Sequence, residues 1–210
     1  MTLKELLTGS EETSDWLDQN IHRVEIEASD RLRLSGACFD QVQEHVRATY
    51  LLLRHGLTGS AFSLVRVTFE TIYLGLWLRH CATDQELADF QEKDALPKRS
   101  QIIKAVESID TYNAGVLSRL SKDYWSAMCS YAHGGYLPAV RRITSRGIEP
   151  NYGDEEIKQV ILFASVWALV AGLEIFDMAL RVDLCEGVLE RVDSLVSLNQ
   201  TTSDSRGGAR

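Results

Sequence analysis

The sequence predicts an all-α protein, a single multi-helix bundle around a long, buried central helix. Strand-like alternation of apolar and polar residues is nearly absent. Helix-capping residues and glycine stops recur along the chain. The segment 60–80 is apolar almost all the way round when read at 3.6 residues per turn, which is typical of a helix that packs on every side. This segment is therefore the predicted centre of the bundle.

Caps and breaks divide the chain into nine predicted helices. Thr83 and Glu86 form a capping box, and Pro97 suits the first position of the helix that follows it. An acidic run over 154–156 complements the dipole at the start of a long apolar helix that extends to about Val182. The predicted helices begin near residues 14, 30, 58, 83, 97, 122, 138, 154 and 184.

The helices are predicted to form one domain over residues 1–198. No internal repeat and no linker divides this range. The remaining residues, 199–210, are polar or glycine apart from Ala209, a composition that favours a flexible C-terminal tail.

Composition excludes several classes of protein. The 22 basic and 30 acidic residues give a net charge of −8, the wrong sign for a protein that binds duplex DNA through its overall charge. The four cysteines are isolated from one another, so we expect no metal site, no cofactor and a reducing compartment. The start of the chain lacks a signal peptide, and the apolar run Val160–Leu173 is short for a membrane span. We therefore expect a cytoplasmic protein with no membrane segment.

Polar side chains form one stripe along the central helix. Burying a charge is costly unless it is paired, so we expect Arg66 and Glu70 to be largely buried beside polar groups of another helix, such as Glu174 or Asp177. The pair has two interpretations: an internal ion pair that fixes helix register, or a pocket that binds a phosphate or carboxylate group. The stripe consists of Ser63, Arg66, Glu70, Tyr73 and Trp77.

A second group of polar residues surrounds His133, which is predicted to lie in the last turn of a helix before Gly134 and Gly135. A histidine there either caps backbone carbonyls or acts as a general acid or base. Arginines that follow it form either a solvated basic face or a rim that binds anions. The candidate catalytic residues are thus Arg66, Glu70 and His133, and the candidate substrate-binding residues are Tyr73, Ser130, Tyr131, Arg141 and Arg142.

These residues resemble a family pattern. Ser63-x2-Arg66-x3-Glu70-x6-Trp77, followed by Trp125 and the segment 131–135, resembles an uncharacterised bacterial helical family similar to the AbiV-like and HEPN groups of defence and toxin proteins. The resemblance covers roughly residues 56–152. It implies an all-α homodimer and, as in the active HEPN members, RNA cleavage without a metal by an arginine and a histidine.

One feature departs from the HEPN pattern. The HEPN nucleases carry Arg-x(4–6)-His on one helix, and no arginine here precedes a histidine at that spacing. Catalysis would therefore require Arg66 and His133 to meet in space.

Two functions from different classes follow. The first is a HEPN-like defence or toxin protein that binds or cleaves RNA, with RNA or an antitoxin-like protein as its partner. The alternative is a non-catalytic helical dimer that binds a protein or a small anion. The missing Arg-x(4–6)-His spacing favours the dimer, whereas the grouping of arginine, glutamate, tyrosine and histidine favours the RNA-directed protein.

Overall fold

A computed structural model describes the backbone of residues 2–204 and the side chains of residues 2–197. Within this range the chain forms nine α-helices, one short 3-10 turn at 110–112 and one two-stranded hairpin, so the predicted all-α class is confirmed. The α-helices are α1 Leu3–Ile21, α2 Asp30–Arg54, α3 Thr58–His80, α4 Asp84–Lys93, α5 Arg99–Val106, α6 Val116–Ala132, α7 Tyr136–Val140, α8 Asp154–Met178 and α9 Val182–Asp204. Strands β1 Ile143–Thr144 and β2 Gly147–Ile148 are antiparallel.

Helix α3 is the central helix, and it packs against α2, α5, α6 and α8. Large apolar side chains such as Phe69, Ile72 and Leu76 are fully buried along it. The approach to α2 is close at Gly75, where a Cβ atom would lie 2.7 Å from a ring carbon of the buried Phe39. A glycine is thus needed at this helix crossing.

Helices α3 and α8 are both long and apolar enough to cross a membrane by length and composition alone. Most of the apolar window of each helix, 61% in α3 and 67% in α8, is buried inside the protein. Core helices of a bundle meet the same criterion, so this property carries no argument for a membrane span.

The first helix and the sixth begin earlier than predicted. α1 starts at Leu3 because Thr2 and Glu5 form a capping box, and the prediction that it begins near residue 14 is wrong. α6 starts at Val116 rather than near 122. It follows Gly115, whose φ of 69° turns the chain into the helix without any side-chain cap.

The predicted helix after Pro138 is shorter than expected. α7 ends at Val140, and the hairpin follows it. Likewise α8 ends at Met178, four residues before the predicted end, and the chain then turns at Leu180 with a φ of 54°. α9 extends to Asp204, so it includes the first six residues of the segment predicted to be flexible, and the last six lie outside the described residues.

Candidate functional site

Arg66, Glu70 and His133 lie together at the junction of α3 and α6. Nη2 of Arg66 lies 3.1 Å from a carboxylate oxygen of Glu70, one turn further along α3. Nη1 of the same guanidinium contacts Nε2 of His133, which follows the last residue of α6. The packing of the helices therefore brings the three candidate catalytic residues into one group, although Arg66 and His133 are 67 positions apart in the sequence.

The surroundings of this group differ from those predicted. The side chain of Arg66 is 19% exposed and thus largely buried, as predicted, whereas that of Glu70 is 35% exposed and only partly buried. The partner of Arg66 from another helix is His133, not Glu174 or Asp177. His133 is exposed and Glu70 partly so, and the group therefore reaches the protein surface.

The capping interpretation requires a hydrogen bond between the ring of His133 and a backbone carbonyl of α6, and none is described. Its backbone N–H donates to the carbonyl of Cys129 at 3.0 Å, but the hydrogen bond described for its ring is the one with Arg66. His22, at the end of α1, provides a contrast, since its Nδ1 lies 2.8 Å from the carbonyl of Asp18. A guanidinium can only donate, so Nε2 of His133 is the acceptor in this contact.

Trp125 on α6 holds two arginines from two different helices. The guanidinium carbon of Arg66 lies 4.8 Å from the centroid of the indole ring, and that of Arg99, the first residue of α5, lies 3.5 Å from it. These are cation–π distances. Arg99 was not predicted from the sequence, because α5 is short and Arg99 belongs to no motif.

Tyr73 lies beneath the group and is buried, with its ring 5.4 Å from that of Phe69 in an edge-to-face arrangement. Burial, with the negative charge of Glu70, raises the pKa of its hydroxyl to about 12, and the charges of Arg99 and Arg66 oppose that rise. Tyr73 is therefore protonated at neutral pH and borders the arginines from the core side.

The other candidate binding residues lie away from Arg66. Ser130 accepts a hydrogen bond from the backbone N–H of Leu137 at 3.1 Å, so its hydroxyl stabilises the turn between α6 and α7. Tyr131 packs on Phe62, Arg141 pairs with Glu156, and the exposed Arg142 lies beyond the end of α7. The structure thus brings Tyr73 to the group and leaves these four outside it.

Tyr131 and Arg141 instead line an apolar groove of about 530 Å³ between α3, α6, α7 and α8. Most of its wall is aliphatic or aromatic. Val116, Tyr124 and Val166 border it with 40%, 51% and 43% of their surface exposed. A surface of this kind is typical of a binding or subunit interface.

A separate charged cluster, which we call the Glu174 cluster, joins the ends of α3 and α8 to the 3-10 turn. Glu174 is only 6% exposed and accepts hydrogen bonds from Arg79, Tyr112 and, at 2.9 Å, His80. Arg79 also pairs with Asp177. Glu174 and Asp177, which the sequence offers as possible partners of Arg66, pair with Arg79 instead.

Neither cluster has the arrangement of a metal centre. Across the residues whose side chains are described, no three or more histidine, cysteine or acidic side chains are placed to hold a metal ion. The four cysteines are free.

A family model matches residues 39–191, almost three-quarters of the chain, and describes a family of unknown function, DUF6988. The chain belongs to this family. The DUF6988 match includes Arg66, Glu70, Arg99, Trp125 and His133, and it leaves out α1. No curated protein and no solved structure is significantly similar to the chain. Nothing in the DUF6988 description links the chain to the AbiV-like or HEPN groups, so that resemblance stays a prediction.

Proposed function

We propose that this DUF6988 protein binds single-stranded RNA at Arg66 and cleaves it without a metal ion, with His133 as the general base. The observation that supports this proposal is the contact between the guanidinium of Arg66 and Nε2 of His133. It supplies, from two helices, the arginine and histidine that HEPN-like nucleases carry on one. A ring nitrogen that accepts from a donor has the lone pair with which a general base takes up a proton.

The proposed reaction begins when an RNA phosphate replaces His133 as the partner of Arg66. Nε2 of His133 then has a free lone pair and accepts the proton of the adjacent ribose 2′-hydroxyl. The 2′-oxygen forms a bond to phosphorus as the bond from phosphorus to the 5′-oxygen breaks. Arg66 stabilises the negative charge that builds up on the phosphate oxygens. The products are a 2′,3′-cyclic phosphate and a 5′-hydroxyl, whose oxygen takes its proton from water.

Glu70 has a positioning role in this scheme. Its carboxylate holds Nη2 of Arg66 at 3.1 Å and leaves the other amino group of the guanidinium directed at His133. A bidentate or two-sided arginine contact of this kind fixes the plane of the guanidinium. The resemblance to defence and toxin proteins suggests the biological setting, a bacterial cytoplasm, and the four free cysteines are compatible with such a reducing compartment.

Incubating the protein with end-labelled single-stranded RNA in excess EDTA tests the proposal. We expect cleavage to products that end in a 2′,3′-cyclic phosphate, because the scheme takes its positive charge from arginine and its base from histidine. RNA in which every 2′-hydroxyl is methylated should stay intact under the same conditions. Intact RNA in the first reaction, or cleavage that appears only when Mg²⁺ is added, would contradict the proposal.

The apolar groove favours a second, compatible role, that of a homodimer. Val116, Tyr124 and Val166 present aliphatic and aromatic surface to solvent on α6 and α8, two helices that line the groove. We propose that a second copy of the chain covers this surface, since the same two apolar helix faces on the partner would match it across a twofold axis.

Sedimentation at micromolar concentration measures the mass of the protein in solution, and we expect twice 23.6 kDa for a homodimer. Val166→Asp should weaken dimerisation about tenfold or more, because it places a charge within an apolar interface. Leu51→Asp is the matched control, since Leu51 is 59% exposed on α2 and lies outside the groove. A monomeric mass at every concentration, or equal effects of the two variants, would refute the proposed interface.

A further inference from the structure

Arg99 carries a charge that no neighbouring carboxylate neutralises. Across the described side chains, no aspartate or glutamate lies within ion-pairing distance of it, and its contact is with the ring of Trp125. Its Nε atom is buried and has no hydrogen-bond partner, and the same is true of Nε of Arg66. Donors of this kind are costly when they have no acceptor.

The two guanidiniums lie near the same indole ring, at 4.8 Å and 3.5 Å from the centroid of Trp125. Both also act on the hydroxyl of Tyr73, whose pKa they lower against the effect of burial. Glu70 is the carboxylate that pairs with this group. Two arginines thus face one glutamate, so the site has a net positive charge in a protein whose total charge is −8.

Two like charges near one ring repel each other, and an anion that lies near both relieves the repulsion. Arg66 already has partners in Glu70 and His133. Arg99 comes from a different helix, and its guanidinium is fixed by the indole ring rather than by an acid. Its position therefore suits a second anionic group beside the one that Arg66 would bind.

We propose that Arg99 is a second phosphate-binding residue, so that the site binds a chain with at least two neighbouring phosphates rather than a single nucleotide. The inference rests on the proposed function for the identity of that chain as RNA. Arg99 binds the phosphate next to the scissile one and takes no part in proton transfer. It is a substrate-binding residue that determines affinity and register.

The test is the affinity for a single-stranded oligoribonucleotide with 2′-O-methyl groups throughout, measured by fluorescence anisotropy at several salt concentrations. The probe cannot be cleaved, so binding is separated from catalysis. Each phosphate contact to a single strand adds about 0.7 to the slope of log affinity against log salt. Arg99→Ala should weaken binding about tenfold and reduce the slope by about 0.7, whereas Arg99→Lys should keep most of the slope.

Arg191→Ala is the matched control. The guanidinium of Arg191 lies 3.6 Å from the ring centroid of Trp16, so this variant also removes an arginine from an indole face. No second arginine is described on that ring. We expect the affinity and the salt slope of Arg191→Ala to equal those of the wild type. If Arg191→Ala also lowers the affinity and the salt slope, the loss of any arginine that packs on an indole ring weakens binding, and the inference fails.

The outcomes separate this inference from the proposed function. If Arg99→Ala binds with the wild-type slope while Arg66→Ala binds weakly, Arg99 is structural and only the inference is overturned. If the wild type binds the probe with an Arg99-dependent slope but leaves ordinary RNA intact, the proposed cleavage is overturned and the second phosphate position stands.

Discussion

Glu174→Ala is expected to lower the free energy of unfolding by about 3–5 kcal/mol, the usual cost of removing one partner from a buried ion pair. The carboxylate is 6% exposed and accepts hydrogen bonds from Arg79, His80 and Tyr112. Alanine would leave the guanidinium of Arg79, which is only 11% exposed, with Asp177 as its remaining acid. The midpoint and slope of urea unfolding measure the loss.

The same cluster predicts a pH dependence of stability. Burial disfavours the ionised form of Glu174, but the hydrogen bonds from His80 and Tyr112 and the charge of Arg79 outweigh burial and lower its pKa. A carboxylate with a lowered folded-state pKa stabilises the protein at neutral pH. That contribution is lost as the pH falls from about the ordinary value of 4.5 through the lower folded-state value. Glu174→Ala should therefore lower the free energy of unfolding at neutral pH and also make that free energy less dependent on pH in the acid range.

Two comparisons make this prediction specific. Glu186→Ala removes an exposed glutamate from α9 and should change stability by no more than about 0.5 kcal/mol. Glu70→Ala should cost about 1 kcal/mol or less, because Glu70 is 35% exposed. Equal midpoints for Glu174→Ala and Glu186→Ala would show that the Glu174 cluster does not stabilise the fold.

His133→Ala is expected to lower the rate of RNA cleavage by about 100-fold to 10,000-fold, the usual contribution of a general base. The side chain is exposed, and its hydrogen bond is with Arg66, so its removal should disturb the fold little. Single-turnover rates at saturating RNA give the effect on the chemical step, free of any change in affinity. Binding of the non-cleavable oligonucleotide should stay within about threefold of the wild type.

His55→Ala is the control for this variant. His55 is an exposed histidine at the position after α2, as His133 is after α6, and the side-chain contacts described for Arg66 do not include it. Its removal should leave the cleavage rate unchanged. If folded His133→Ala cleaves RNA at the wild-type rate, His133 is not the base, and the non-catalytic alternative is favoured.

The predicted start of α3 near residue 58 and the apolar segment 60–80 agree with the observed Thr58–His80, because a helix that is apolar on every side between a glycine and a cysteine has few alternative bounds. The sequence also predicts α4, since the capping box of Thr83 and Glu86 is a local signal. The same local signal occurs at Thr2 and Glu5, where α1 begins. The hairpin after α7 left no signal, because two-residue strands are too short to show alternation.

The candidate site is only partly predictable. The helical spacing places Arg66 and Glu70 on one stripe, but the degree of their burial depends on how α5 and α6 cover α3. That the partner of Arg66 is His133 rather than Glu174 depends on contacts between residues far apart in the chain, which periodicity within one helix cannot specify. Arg99 has no motif, and its position becomes evident only from its contact with Trp125.

A double-mutant cycle on Arg66 and His133 tests the central claim, that these two residues act as one catalytic unit. The rate of RNA cleavage in EDTA is measured for the wild type, Arg66→Ala, His133→Ala and the double variant, each shown to be folded. Because each residue depends on the other for the same chemical step, we expect the double variant to be about as slow as the slower single variant. If the two losses instead multiply, Arg66 and His133 act independently, and the contact between them is not a catalytic site.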